Sequence, residues 1–256
     1  MVQPKTSGIA GNPLKVVQQL LHYSRKDATY QAGMAFISGD FEQLKSLLNL
    51  LHEQERQKLD GFKFDLRKIS YLLGRLSAKK ALEVINPEAI LQDVHIGQGV
   101  FQFPVGRFQS GPNFQFCISH CEEIGVALAY PEEHPIGIDI EKINSKSLDA
   151  LESQFTAEEK QYLSALKLDM LTGLTMLWTA KEALSKIFRT GMMMDFHVFE
   201  LKNIEWRGNH FVSEYKNCGQ YKAISIIRQD YACTMTIPGR SSFDEQLLID
   251  AFERTL

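Results

Sequence analysis

The feature that most constrains this fold is an internal echo. Leu76-Ser-Ala-Lys-Lys-Ala-Leu-Glu-Val-Ile85 resembles Trp178-Thr-Ala-Lys-Glu-Ala-Leu-Ser-Lys-Ile187. Ala, Lys, Ala, Leu and Ile match in register at one constant offset. Each copy is preceded by a Glu-rich stretch and followed by strand candidates. Repetition of that kind predicts two related α+β halves packed about a pseudo-twofold axis. The plain alternative is chance similarity between two amphipathic helices. One difference bears on function: Lys80 stands where the second copy has Glu182. If the halves are related, a site built from that position exists once.

The chain has 256 residues, which suits one large domain or two small packed ones. Hydrophobic residues are 44%, enough for a sizeable core. Net charge is −3, so no basic field exists to attract a nucleic acid. An anionic ligand must be held by a local cluster of Lys, Arg or metal. Cys117, Cys121, Cys218 and Cys233 show no C-x-x-C spacing, which predicts reduced thiols in a cytoplasmic protein. Met1 to Pro13 lacks an apolar signal core, and no run of about 18 apolar residues occurs, so neither export nor a membrane span is expected.

Residues 1 to about 12 read as a leader. Leu14, Val17, Leu20 and Leu21 recur at helical spacing and predict a short helix. Met34 to Ile37 is a strand candidate. Leu44, Leu47, Leu48 and Leu51 form a helical stripe, as do Ile69, Leu72, Leu73 and Leu76, the latter running to about Ile85 and stopping at Asn86-Pro87. Phe114 to Ser119 and Gly125 to Tyr130 read as two strands joined by a polar turn, and Pro135 to Ile140 as a third. Thr156-Ala-Glu-Glu159 has capping-box spacing before a long helix over 171–188. Strands are expected at 197–206, 210–216, 222–228 and 231–237, then an amphipathic helix from Phe243 to Thr255. The expected division is an N-terminal extension over 1–33, a first half over 34–130 and a second over 131–256.

Gly137-Ile-Asp-Ile-Glu141 carries the strongest chemical signal. On a strand, Asp139 and Glu141 project to one face. Two carboxylates that close raise each other's pKa unless a cation lies between them. Mg²⁺ takes one or two carboxylates plus waters and substrate phosphates. An acidic strand face exposed by accident is the plainer reading of spacing alone. Glu182 and Lys186 share a helix face, with Lys181 about 100° away. A solvated Glu–Lys pair is the bland alternative, although the apolar residues upstream argue for packing on a sheet. Ser119-His120 ends a strand, where His120 can meet a phosphate or move a proton, or be merely structural. Arg67, Lys68, Arg75, Lys79 and Lys80 make a basic helix, mostly read as a solvated face. Arg75 stands out because it follows Gly74, where backbone and ligand can approach closely.

Together these segments resemble the surfactin-type 4′-phosphopantetheinyl transferase family. They are Ile118-Ser-His-Cys121, Pro135-Ile-Gly-Ile-Asp-Ile-Glu-Lys142 and Trp178-Thr-Ala-Lys-Glu-Ala-Leu-Ser-Lys186. Glu53 to Phe62, Tyr71-Leu-Leu-Gly-Arg75 and Phe155-Thr-Ala-Glu-Glu159 extend the likeness over roughly residues 34 to 230. The resemblance implies an α+β pseudo-dimer with coenzyme A bound in the cleft between its halves. It implies Mg²⁺ held by Asp139, Glu141 and Glu182, with Glu182 also accepting a proton from the serine of an apo acyl or peptidyl carrier protein. Lys186 is implied at the diphosphate, Ser119 and His120 at the nucleotide phosphates, and Arg75 as a weaker candidate there. The phosphopantetheine arm would pass to the serine with release of 3′,5′-ADP. Two fused halves predict a monomer.

The chain departs from the family pattern in places. A lysine frequent before the Ser-His strand is replaced by Gln102-Phe103-Pro104, with Arg107 as the candidate substitute. Cys121 and Arg189 stand where serine and glycine are frequent. Met192-Met-Met194 reads as core filling, with an adaptable carrier-docking surface as the alternative. The first 33 residues have no family counterpart. A non-catalytic member that only holds coenzyme A or a carrier protein is the competing reading. The chain has no G-x-x-x-x-G-K-[ST] loop, which counts against a nucleotide hydrolase of that type.

Overall fold

The structure is a computed structural model and describes residues 13–108, 112–145 and 152–256. The leader expected over residues 1 to 12 lies outside the described residues. β1 (Lys15–Ser24) and β2 (Thr29–Ser38) form an antiparallel hairpin paired from Lys15↔Ser38 to Ser24↔Thr29. The helix expected from Leu14, Val17, Leu20 and Leu21 is therefore a strand. A short apolar run fits either period. Ladder bonds to β2 decide it here, while Val17, Leu21 and Tyr23 turn into the core. The expected boundary at residue 33 falls inside β2.

β2 is an inner strand of a four-stranded sheet of order β1-β2-β6-β5, with β5 at Phe114–Cys121 and β6 at Ile124–Pro131. Two short helices, α1 (Phe41–Leu44) and α2 (Glu53–Asp60), precede α3 (Asp65–Ile85). α3 crosses the outer face of this sheet, and β3 (His95–Gln98) pairs with β4 (Pro104–Arg107) beside it. The second half holds β7 (Gly137–Lys142), α4 (Ala157–Ala165) and α5 (Met170–Phe188). β8 (Leu201–Trp206), β9 (Phe211–Tyr215), β10 (Tyr221–Arg228), β11 (Tyr231–Pro238) and α6 (Gln246–Thr255) follow. Its sheet order is β7-β11-β10-β9-β8, and α5 packs across it. The segment expected as strand over 197–206 begins as a 3-10 turn at Phe196–Phe199.

One core joins the inner faces of the two sheets: Phe36 and Val126 meet Ile138, Met235 and Phe252 of α6. Separate clusters lie under α3 and under α5. The architecture is α+β, as the alternation of helical and strand periods predicts. All four cysteines are free thiols. Among the described residues no helix is long and apolar enough to cross a membrane.

The echo is built into the packing. Gly33 of β2 lies against the carbonyl of Ala81, and Gly137 of β7 against that of Ala183; a Cβ at either glycine would overlap that carbonyl. Ala81 and Ala183 are matched positions of the echo. Lys79 and Lys181, also matched, are fully buried and pair with Glu55 (3.1 Å) and Glu159 (2.9 Å). Each glutamate closes a capping box, at His52 for α2 and Thr156 for α4. Each also accepts a backbone N–H from the following β segment, Ile96 to Glu55 (2.8 Å) and Leu201 to Glu159 (3.0 Å). Such coincidence of partners is not chance similarity of two helices. Lys79, expected on a solvated face, instead lies inside: its Nζ reaches Glu55 and the carbonyls of Leu91 and Val94. A lysine buried there needs that full set of oxygens to offset the loss of water.

Candidate functional site

The two sheets meet where β5 runs beside β7. Side chains do the work of a backbone ladder at this seam. Alternate residues of β5 point the same way, and three of them accept β7 amides. Ile138 N donates to Cys117 Sγ (3.2 Å), Ile140 N to Ser119 Oγ (3.4 Å) and Lys142 N to Cys121 Sγ (3.2 Å). Cys121 thus takes a structural part here.

Asp139 sits at the centre of the seam and is 3% exposed. Its Oδ1 accepts from Ser119 Oγ and from Lys186 Nζ, each at 2.7 Å. Lys186 Nζ also donates to the Ile138 carbonyl at 3.1 Å. The solvated Glu182–Lys186 pair, the bland alternative from helical spacing, does not form: Lys186 reaches across to the strand and pairs with the more buried acid Asp139. Asp139 Oδ2 is buried with no hydrogen-bond partner. Glu182 lies one turn before Lys186 and takes a 3.5 Å contact from Ser185 Oγ.

The three acids feel one another. Burial, then the charge of Asp139, pushes the Glu141 carboxyl up to about 7, and Glu182 adds to the push. Burial and the Asp139 charge raise Glu182 as well. Burial works against the Lys186 charge, but the charge and hydrogen bond of Asp139, with the charges of Cys117 and Glu182, together outweigh it and hold the ammonium pKa up. A cluster with more acid than base, raised pKa values and an orphaned carboxylate oxygen fits a hard divalent cation. Among the described residues no three His, Cys, Asp or Glu side chains are grouped so that they could hold a metal ion, so Asp139, Glu141 and Glu182 do not stand as a ready-made ligand set.

On the first-half side, His120 ends β5. Desolvation in the cleft, then the charges of Lys186 and Arg67, lower its pKa. Arg75 is buried in α3, with its guanidinium 5.1 Å from the Tyr71 ring centroid and its Nε lacking a partner. Gly74 does not open a ligand approach: a Cβ there would meet Ile118 and His120, so the glycine seats α3 on β5. Lys58 and Arg67 complete a basic wall, for burial and then Arg75 and Arg67 lower the Lys58 pKa. From sequence, Arg67 reads only as part of a solvated basic face, and Lys58 is not singled out. Arg67, Tyr71 and Arg75 fall at i, i+4 and i+8, a spacing that puts them on one helix face. Nothing in the sequence places Lys58 of α2 beside them.

Arg107, the candidate substitute for the missing lysine, is exposed on β4, and a second cation lies beside the same segment. Arg189 caps α5 in the left-handed conformation (φ 58°). It donates to Gln115 Oε1 at 2.6 Å and lies 4.5 Å from the Phe103 ring centroid. Met193 is 66% exposed and Met194 37%, so core filling does not describe them.

One comparison with known proteins falls on the segment that carries these acids. Residues 135–236 match the sequence model of the 4′-phosphopantetheinyl transferase superfamily (ACPS). Enterobactin synthase component D of Salmonella typhi is 33% identical over 124 residues, 48% of each chain. The protein of the same name from Salmonella typhimurium is 34% identical over 127 residues. The matched stretch thus spans about half the length of these relatives. Among solved structures, a holo-(acyl-carrier-protein) synthase from Bacillus anthracis in complex with CoA (3′,5′-ADP) aligns at 20% identity. It covers 44% of this chain and 96% of that one, with a TM-score of 0.35. The stretch from β7 to β11, which carries Asp139, Glu141, Glu182 and Lys186, is the part of this chain that matches the 4′-phosphopantetheinyl transferase superfamily.

Proposed function

We propose that this protein is a surfactin-type 4′-phosphopantetheinyl transferase that moves the phosphopantetheine arm of coenzyme A to a serine of an apo acyl or peptidyl carrier protein. The observation that carries the reading is the buried Asp139, bonded to Ser119 of one half and Lys186 of the other, inside the superfamily-matched segment. Coenzyme A lies in the cleft of the seam, between the basic wall of the first half and the acids of the second. The halves divide at the connection between β6 and β7, and a single copy of the chain supplies both.

Asp139, Glu141 and Glu182 would hold Mg²⁺, using the orphaned Asp139 Oδ2. When bound, the ion supplies charge neutralisation at the diphosphate and at the developing 3′,5′-ADP. Ser119 and Lys186 hold the Asp139 carboxylate through Oδ1 and leave Oδ2 without a protein donor. Lys186, partly exposed, adds a point charge at the diphosphate. His120, held largely neutral, donates or accepts a hydrogen bond at the nucleotide phosphates, and Arg75 and Arg67 balance the remaining negative charge. Glu182 has a raised pKa and suits a general base. It accepts the carrier serine proton as that oxygen attacks the β-phosphorus. The bond to the 3′,5′-ADP oxygen breaks, and that oxygen leaves with the electron pair.

The test is to incubate the full chain with Mg²⁺, coenzyme A and apo carriers of fatty-acid, polyketide and peptide type, then weigh the carriers by mass spectrometry. A gain of one phosphopantetheine on the carrier serine is expected. Binding of coenzyme A with no mass gain on any carrier would favour a non-catalytic member of the family.

A further inference from the structure

We propose that a second cavity, remote from Asp139, binds a small molecule bearing two or more phosphate charges. The cavity has a volume of about 730 Å³ and opens at the end of the inter-sheet core where β10 begins and β11 ends. Asp139 is paired with Thr234 on β11, whereas the cavity is lined by Pro238, four residues further along. At the strand rise of about 3.3 Å per residue, that separates the two by on the order of 13 Å. Lys222 precedes Ile224, whose side chain enters the inter-sheet core, and Ala223 between them faces α5. The cavity therefore lies on the sheet face opposite α5.

Four cations from separate segments line it: Arg25 of the β1–β2 turn, Arg207 after β8, Lys222 of β10 and Arg240 after β11. A chain of net charge −3 does not gather four cations by composition alone. Their charges are poorly answered within the protein. Arg25 Nε is buried without a hydrogen-bond partner, and its nearest carboxylate, Asp27, is 3.7 Å away and 76% exposed. Burial lowers the Lys222 pKa; the charge of Glu245 opposes this and the like charge of Arg207 adds to it by less. Arg207 pairs with the exposed Glu205 at 3.1 Å. The one lining acid, Glu214, is engaged from outside by Lys202 (3.7 Å) and Asn203 (3.1 Å).

A bound polyanion relieves this arrangement. Guanidinium groups match phosphate oxygens in a two-point fork, and three arginines with one lysine answer more than one charge. Gly219 and Gly239 line the cavity too, and the space is of small-ligand size. Carboxylates of a single charge would leave most of the positive field unmet. A diphosphate or a phosphorylated nucleotide fragment meets it.

Calorimetric titration of the full chain with sodium pyrophosphate and with 3′,5′-ADP, in low salt and without divalent metal, tests the site. Binding is expected to persist in Glu182→Gln and to weaken at least tenfold in Arg25→Gln/Arg240→Gln. It should also weaken with rising salt. Arg240→Gln alone, in an exposed loop, guards against misfolding of the double variant and should lose affinity while still modifying carrier at the parent rate. Equal affinity for both anions in parent and arginine variants, or no binding of either anion by the parent, would overturn the site. Loss of carrier modification has no bearing on it, so the two readings fail separately.

Discussion

Lys186 Nζ lies 2.7 Å from Asp139 Oδ1 and joins the second echo helix to the strand at the seam. Removing the ammonium leaves a nearly buried carboxylate with one neutral donor, Ser119. Lys186→Ala is expected to lower carrier modification by about 10²-fold, roughly 2.7 kcal/mol of barrier. Asp139→Ala and Glu182→Ala should each lose at least as much. Initial rates with saturating carrier, measured by mass spectrometry, check this.

Glycine at 137 sets how closely β7 approaches α5. Gly137→Ala drives a Cβ into the Ala183 carbonyl and pushes the Asp139 strand from the Glu182 helix. Gly33→Ala makes the matching collision at Ala81, away from the acids. Both should lose about 2–3 kcal/mol of stability, the cost of overpacking. Only Gly137→Ala should also cut turnover of the folded fraction, which denaturant melts beside rate measurements will separate.

The buried pairs Lys79–Glu55 and Lys181–Glu159 are twin anchors. Replacing either lysine by methionine strands a carboxylate in the core. Each of Lys79→Met and Lys181→Met should cost about 3–5 kcal/mol, while Glu55→Leu/Lys79→Met together should cost less than the single change. Urea unfolding curves supply the comparison.

Much of this was legible in the chain. Gly-Ile-Asp-Ile-Glu named its own strand and face, because period-two alternation is read directly from residue types. The echo predicted two halves, and Gly33 with Gly137 shows why: each backbone contact needs the same missing Cβ. What stayed hidden depends on contacts between distant segments. Lys186 chose Asp139 over its helical neighbour Glu182, and Lys79 turned inward, because burial decides partners and sequence spacing does not record it. β1 escaped for the same reason. Its apolar spacing is shared by helix and strand, and pairing with β2 settles the matter.

His134 gives a pH signature away from the acids. Its ring lies between Tyr23 (4.6 Å) and Tyr30 (4.8 Å), with Nε2 2.8 Å from Ser241 Oγ. Burial, then the charge of Arg25, lowers its pKa to about 4. The folded state therefore prefers the neutral ring. Its contribution is complete above about pH 6.5 and is lost as pH falls toward 4, where protonation favours the unfolded chain by about 3 kcal/mol. Melting temperatures from pH 7.5 to 4.5 should fall less steeply for His134→Gln than for the parent.

The central claim is that the strand acids and the helix acid serve one divalent ion. Titrating Mn²⁺, as a visible substitute for Mg²⁺, into the protein with coenzyme A and following its electron paramagnetic resonance signal tests it most directly. One tightly held ion per chain is predicted, displaced by Mg²⁺ and lost in both Asp139→Asn and Glu182→Gln. A Glu182→Gln protein that holds the ion as tightly as the parent and still modifies carrier at the parent rate would contradict the account.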